Sequence, residues 1–118
     1  RKARPLKKIT SLPPITIDTF EPELSGSSVP VVVLFWSPWS GPDRLTLPLL
    51  TNVANTVQES ARFFTCDVDE CLEITQGLKV QSTPTVLIFH EGALHARLEA
   101  PLTEDAIRRT LATLRSEE

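Results

Sequence analysis

A chain of 118 residues, 41% hydrophobic and 23% charged, has the length of one domain with one core, and no apolar run approaches the ~20 residues of a membrane-spanning helix. Arg1, Lys2, Arg4, Lys7 and Lys8 are five of its twelve basic residues, so residues 9–118 set seven basic against all fifteen acidic residues, a net of −8. Such an acidic body is a poor general ligand for nucleic acid, and any phosphate contact is left to the basic arm.

Residues 1–11 are expected to form that arm, and residues 12–118 one folded domain. The arm is basic and then proline-containing (Pro5, with Pro13 and Pro14 just beyond), and reads as either a solvated tail or a docking element. The chain contains no methionine, which is expected of a processed or trimmed chain. A basic, acid-free start matches the stump of a cleaved organelle presequence, and the expected setting is a mitochondrion or plastid, otherwise the cytoplasm.

Ile15 to Ile17 suit a short strand, and Asp18 or Thr19 suits the cap of a brief helix through Leu24, broken by Ser25-Gly26-Ser27-Ser28. Val31-Val32-Val33-Leu34-Phe35-Trp36 is an uninterrupted, β-branched-rich apolar run, the pattern of a central strand covered on both faces. From Leu45 the apolar residues Leu45, Leu49, Val53 and Val57 recur every four, which predicts a helix kinked by Pro48 and fading near Glu59. Phe63 to Val68 predicts a second strand carrying Cys66. A short helix from Cys71 to Gln76 follows, ended by Gly77.

Thr85 to Phe89 predicts another buried strand. Glu91-Gly92 turns the chain, and Leu94, Ala96 and Leu98 alternate with His95, Arg97 and Glu99 as in a hairpin strand with one wet face. Thr103 caps a last helix whose Ile107, Leu111 and Leu114 share one face and whose Arg108, Arg109 and Arg115 lie toward its negative end. Four glycines are scattered singly, so no phosphate-cradling loop and no cofactor is expected. Cys66 and Cys71 have neither metal-ligand nor redox spacing and are expected to be reduced.

Trp36, Trp39 and Pro42 around a Ser40-Gly41-Pro42-Asp43 junction, Pro48 in the next helix, Ser82-Thr83-Pro84-Thr85 before a buried strand, and Gly92 in the hairpin together resemble the thioredoxin family over residues 12–116. The resemblance implies an α/β thioredoxin-like fold, a central mixed sheet with helices on both faces in the order βαβαβαββα. It also implies a cis Thr83–Pro84 bond beside Ser40. In family terms the nucleophilic and resolving cysteines match Ser40 and Asp43, and the buried aspartate that assists proton transfer matches Leu34. Neither a hydroxyl nor a carboxylate replaces a thiolate in disulfide exchange, and leucine carries no proton.

Ser40 and Asp43 also have the spacing of a capping box, Ser40 accepting from the Asp43 amide while Asp43 reaches back. A serine nucleophile would need a base within reach, and His90 and His95 both fall in the hairpin. Asp67, Asp69, Glu70 and Glu73 lack the glycine and ligand order of a calcium loop and read as a solvated face, so no metal site is expected.

The expected function is a redox-inactive, non-enzymatic protein-binding or structural subunit of a larger complex. Its partner would be held in the family's peptide groove at Trp39, Ser40, Gly41, Pro42, Thr83 and Pro84, with the basic arm as a second contact. The alternative is a thiol–disulfide oxidoreductase, with Ser40 in place of the nucleophilic cysteine or with a monothiol activity through Cys71.

Overall fold

The sheet is organised around β1 (Val31–Trp36), whose first five residues are all buried. The computed structural model describes residues 8–115, so Arg1, Lys2, Arg4 and Lys7 of the expected arm lie outside the described residues. β1 pairs in parallel with β2 (Arg62–Asp67), Val33 opposite Phe64, and antiparallel with β3 (Thr85–His90), Val33 opposite Leu87. β3 in turn pairs with β4 (Ala93–Glu99), giving the mixed order β2-β1-β3-β4.

The two-residue period of the strands divides the core in two. Val32, Leu34, Val86 and Ile88 face α3 (Thr46–Val57) and α5 (Glu104–Arg115), meeting Leu50, Val53, Ala54, Ile107, Leu111 and Leu114. Val31, Val33, Phe35, Leu87 and Phe89 face the opposite layer, with Leu24 of α1 (Ile17–Ser25) and Cys71 at the start of α4 (Leu72–Gly77). Phe20 of α1 meets Phe89 edge-on at 5.6 Å between ring centroids. Helices therefore cover both faces, as expected. No described helix is long and apolar enough to cross a membrane.

The expected first strand is reduced to a single bridge between Pro14 and Thr65. Ile15 donates to the Thr65 carbonyl at 2.7 Å and Thr65 donates to the Pro13 carbonyl at 2.9 Å; Pro13 and Pro14 have no N–H with which to extend the ladder. Thr16 then ends the segment by capping α1 in a reciprocal box with Thr19, so the cap is Thr16 rather than Asp18 or Thr19. Gly26 closes α1 by donating to the Pro22 carbonyl at 2.9 Å, and a Cβ there would lie 2.8 Å from that oxygen. Upstream, Asn55 of α3 grips the backbone of Ile9 from both sides, accepting its N–H at 2.7 Å and donating to its carbonyl at 2.8 Å.

The helix predicted from Leu45 begins earlier and is interrupted: α2 spans Gly41–Arg44 and α3 starts at Thr46. Pro48 offers no N–H to the Arg44 carbonyl four residues back and its ring crowds that oxygen, which places the break at Leu45. The interruption shifts the buried stripe to Thr46, Leu50, Val53 and Ala54 and leaves Leu45 75% exposed. A 3₁₀ turn at Gln58–Ser60 ends the segment near Glu59.

Gly77 lies inside α4 rather than beyond it, and the left-handed turn falls on Lys79 at φ 58°. The Arg97 guanidinium braces this turn from β4, donating to the carbonyls of Leu78 at 2.6 Å and Lys79 at 3.4 Å. Glu91 and Gly92 both take positive φ, the two-residue hairpin turn whose twist suits the flanking strands. An irregularity between Ile88 and Phe89 sets Leu94 opposite Phe89 and Ala96 opposite Ile88, so Leu94 does not share the face of Ala96 and Leu98 and is exposed.

Thr103 caps α5 as expected, accepting from the Ala106 amide at 3.1 Å. Asn52 of α3 and Arg108 both donate to the Glu104 carboxylate, and these hydrogen bonds hold its carboxyl below the ordinary value. Leu50→Ala should lower unfolding free energy by about 2–5 kcal/mol in urea titration, as a core truncation does. Leu45→Ala, on the stripe expected from sequence, should change it by less than about 0.5 kcal/mol, as for an exposed site.

Candidate functional site

The chain leaves β1 through a tight turn in which the Ser40 N–H donates to the Ser37 carbonyl at 2.9 Å. Ser40 is extended and caps α2, its Oγ accepting from the Asp43 amide at 3.5 Å. The other half of the expected box is different. Ser40 has already committed its N–H to Ser37, and the Asp43 carboxylate instead accepts from the Ser37 N–H at 2.8 Å. Asp43 is only 2% exposed and thereby ties the end of β1 to the first turn of α2. Leu34 lies fully buried in the core facing α3 and α5, between Thr65 of β2 and Val86 of β3.

Trp39 projects from the loop with 76% of its surface exposed, and its indole Nε1 donates to Asp69 Oδ2 at 3.4 Å. The Asp69 N–H in turn donates to Asp67 Oδ1 at 2.9 Å. Across from this pair, the Thr83–Pro84 peptide is cis, as the resemblance implies, and Thr85 Oγ1 donates to the Ser82 carbonyl at 2.7 Å. A cavity of about 240 Å³ joins the two loops; Ser37, Val68, Asp69, Leu72, Val80 and Thr83 are in its lining. Of the six expected groove residues only Thr83 is in that lining; Trp39, Ser40, Gly41, Pro42 and Pro84 are outside it, and Gly41 and Pro42 are exposed on α2.

Both cysteines are free and buried, Cys66 on β2 and Cys71 at the N-cap of α4, as expected. The turn through Asp67–Glu70 folds Cys71 back into the same buried layer as Cys66, and Cys71 Sγ donates to the Ile15 carbonyl at 3.6 Å. Burial, then the neighbouring Cys71 thiol, pushes the Cys66 thiol far above its ordinary 9.0. Their five-residue separation crosses a strand end and a turn, and matches neither a strand nor a helix period. His90 and His95 lie on the hairpin strands, where His95 Nε2 is 3.5 Å from Thr113 Oγ1 of α5; neither lines the cavity. Among the described residues no group of three or more His, Cys, Asp or Glu is arranged to hold a metal ion.

The sequence profile described as Thioredoxin matches residues 11–113. The chain belongs to the thioredoxin family. It is 33% identical over 78 residues to thioredoxin 1 of Synechococcus elongatus, an alignment covering 66% of this chain and 73% of that protein. It is 31% identical over 88 residues to the chloroplastic thioredoxin Y1 of Arabidopsis thaliana, covering 75% and 51% respectively. The fold matches mitochondrial thioredoxin 3 of Saccharomyces cerevisiae in its oxidized form, with a TM-score of 0.77, 23% identity and coverage of 86% and 94%.

These relatives overturn the expectation of a chain without enzymatic activity. Those matched are thioredoxins, disulfide oxidoreductases, and Cys66 and Cys71 provide an adjacent pair of thiols. The relatives include chloroplastic proteins, which is compatible with an organellar setting.

Asp43→Ala should cost about 1–3 kcal/mol in denaturant unfolding because it strands the Ser37 amide, whereas Asp43→Asn, which keeps an acceptor oxygen, should recover most of that loss. Cys66 binds its proton more tightly folded than unfolded. Its contribution is therefore fully present below pH 9.0 and is lost as pH rises from there toward the folded value. Cys66→Ala should flatten this alkaline limb in a pH series of unfolding midpoints.

Proposed function

We propose that this thioredoxin-family chain performs thiol–disulfide exchange through Cys71 and Cys66, while the Trp39 loop and the cis-proline turn bind an extended protein segment. The observation that carries the reading is the pair of free thiols at the end of β2 and the start of α4, buried in one layer of the core. Ser40 and Asp43 are read as standing at the family's two redox positions, where they are committed to capping and to the Ser37 amide. The sulfur chemistry then belongs to the two cysteines the chain has. Its chloroplastic relatives support an organellar site of action.

In this reading the Cys71 thiolate attacks one sulfur of a partner disulfide, forming a mixed disulfide and releasing one partner thiolate. Cys66 then loses its proton to solvent and attacks the Cys71 sulfur. That step forms a Cys66–Cys71 disulfide and releases the second partner thiol, so two electrons pass from the chain's dithiol to the partner. Both thiols are buried, so the first turn of α4 has to open for attack, and the raised Cys66 disfavours the thiolate that the resolving step needs.

The binding half of the reading is supported by Trp39, a large exposed aromatic fixed to Asp69 at the edge of the cavity reaching Thr83. Insulin reduction with dithiothreitol tests the chemistry. Turnover above the dithiothreitol blank is expected, with loss in Cys71→Ser and accumulation of a mixed disulfide, detected by mass, in Cys66→Ser. Wild-type turnover at the blank level, or undiminished turnover in Cys71→Ser, would overturn it.

A further inference from the structure

We infer that the groove between Asp69 and Thr83, with Trp39 hydrogen-bonded to Asp69 at its edge, selects an extended segment of another protein that carries a lysine or arginine beside an apolar residue. The inference rests on the binding half of the function proposed above. The floor of the cavity is apolar, with Val68, Leu72 and Val80 in its lining, and Leu72 remains 52% exposed at its edge. One bank is neutral, formed by Gln81, Ser82 and Thr83; the other holds Asp69, and Glu70 and Glu73 follow it in the chain outside the lining, adding negative charge beside that bank.

Asp69, Glu70 and Glu73 are all exposed. The ion pairs among the described residues join Arg62 to Glu23 and Arg108 to Glu104 and Asp105, on other parts of the surface, and none of them neutralises this bank. A cation on a segment lying in the groove would meet the carboxylate of Asp69 and the face of the Trp39 indole together, because the hydrogen bond between them fixes the two side by side. A carboxylate at the same place would meet like charge with no basic residue in the cavity lining to offset it. The −8 charge of residues 9–118 favours encounter with the same class of partner.

The test uses the full chain and two fluorescein-labelled ten-residue peptides with the same apolar residues, one bearing two lysines and the other two glutamates, followed by anisotropy. The lysine peptide should bind about 10-fold tighter or more at low salt, and the advantage should shrink several-fold as salt is raised toward ~0.5 M. Glu70→Gln with Glu73→Gln, surface changes that leave the Trp39–Asp69 contact in place, should cut the preference several-fold; Trp39→Ala should weaken both peptides. Equal binding of the two peptides, or a preference that survives the double substitution, would overturn the charge selection while leaving the groove as a binding site. Binding of neither peptide would overturn the groove itself and this inference with it, independently of the insulin assay.

Discussion

Burial of β1 on both faces is the constraint from which the rest of the architecture follows. Five consecutive apolar residues, Val31 to Phe35, present alternate side chains to opposite sides, so neither side can be left to water. Two helical layers are therefore required, and the chain supplies α3 and α5 to one and α1 and α4 to the other. The strand that satisfies both layers ends at Trp36, and the loop carrying Ser37, Trp39 and Ser40 emerges directly from this buried inner strand. Its geometry is inherited from the core.

That inheritance explains the division of labour around the loop. Asp43 is almost fully buried, yet its charge is tolerated because it accepts the Ser37 amide at the first turn of α2. This polar lock fixes the loop and leaves Trp39 as its exposed feature. The two sulfurs sit in the core layer that includes Phe64 and Phe35, where apolar surroundings favour the protonated Cys66 thiol. The cavity beside Trp39, with Val68 and Val80 in its lining, and the guarded pair of thiols thus share one layer of the fold.

How much of this was legible in the sequence depended on the range of the interaction. The β1 run, the β3 run and the Thr103 cap declare themselves within a few residues, and all three form as read. Thr16, Asp18 and Thr19 are all competent caps, and the choice fell to Thr16 because the Pro14 bridge to Thr65 fixes where extended chain must stop. The Leu45 stripe failed because the effect of Pro48 falls one turn upstream of the proline, which rotates the face that follows. The cis peptide before Pro84 came from family resemblance alone. The Trp39 contact with Asp69 spans thirty residues, and the meeting of Cys66 with Cys71 depends on a turn. Neither leaves a periodic trace.

The grip of Asn55 on Ile9 has a consequence for how the segment before β1 can vary. A side-chain amide that both accepts from an N–H and donates to a carbonyl imitates one rung of a sheet ladder, here supplied by a helix. It reads main chain only, as does the pairing of Pro13 and Ile15 with Thr65. The path of residues 9–15 is thus fixed at two points indifferent to side-chain identity. Freedom of composition along it is still confined to exposed positions such as Thr10 and Pro14, because Ile15 is buried in the core and Ile9 and Leu12 pack against it.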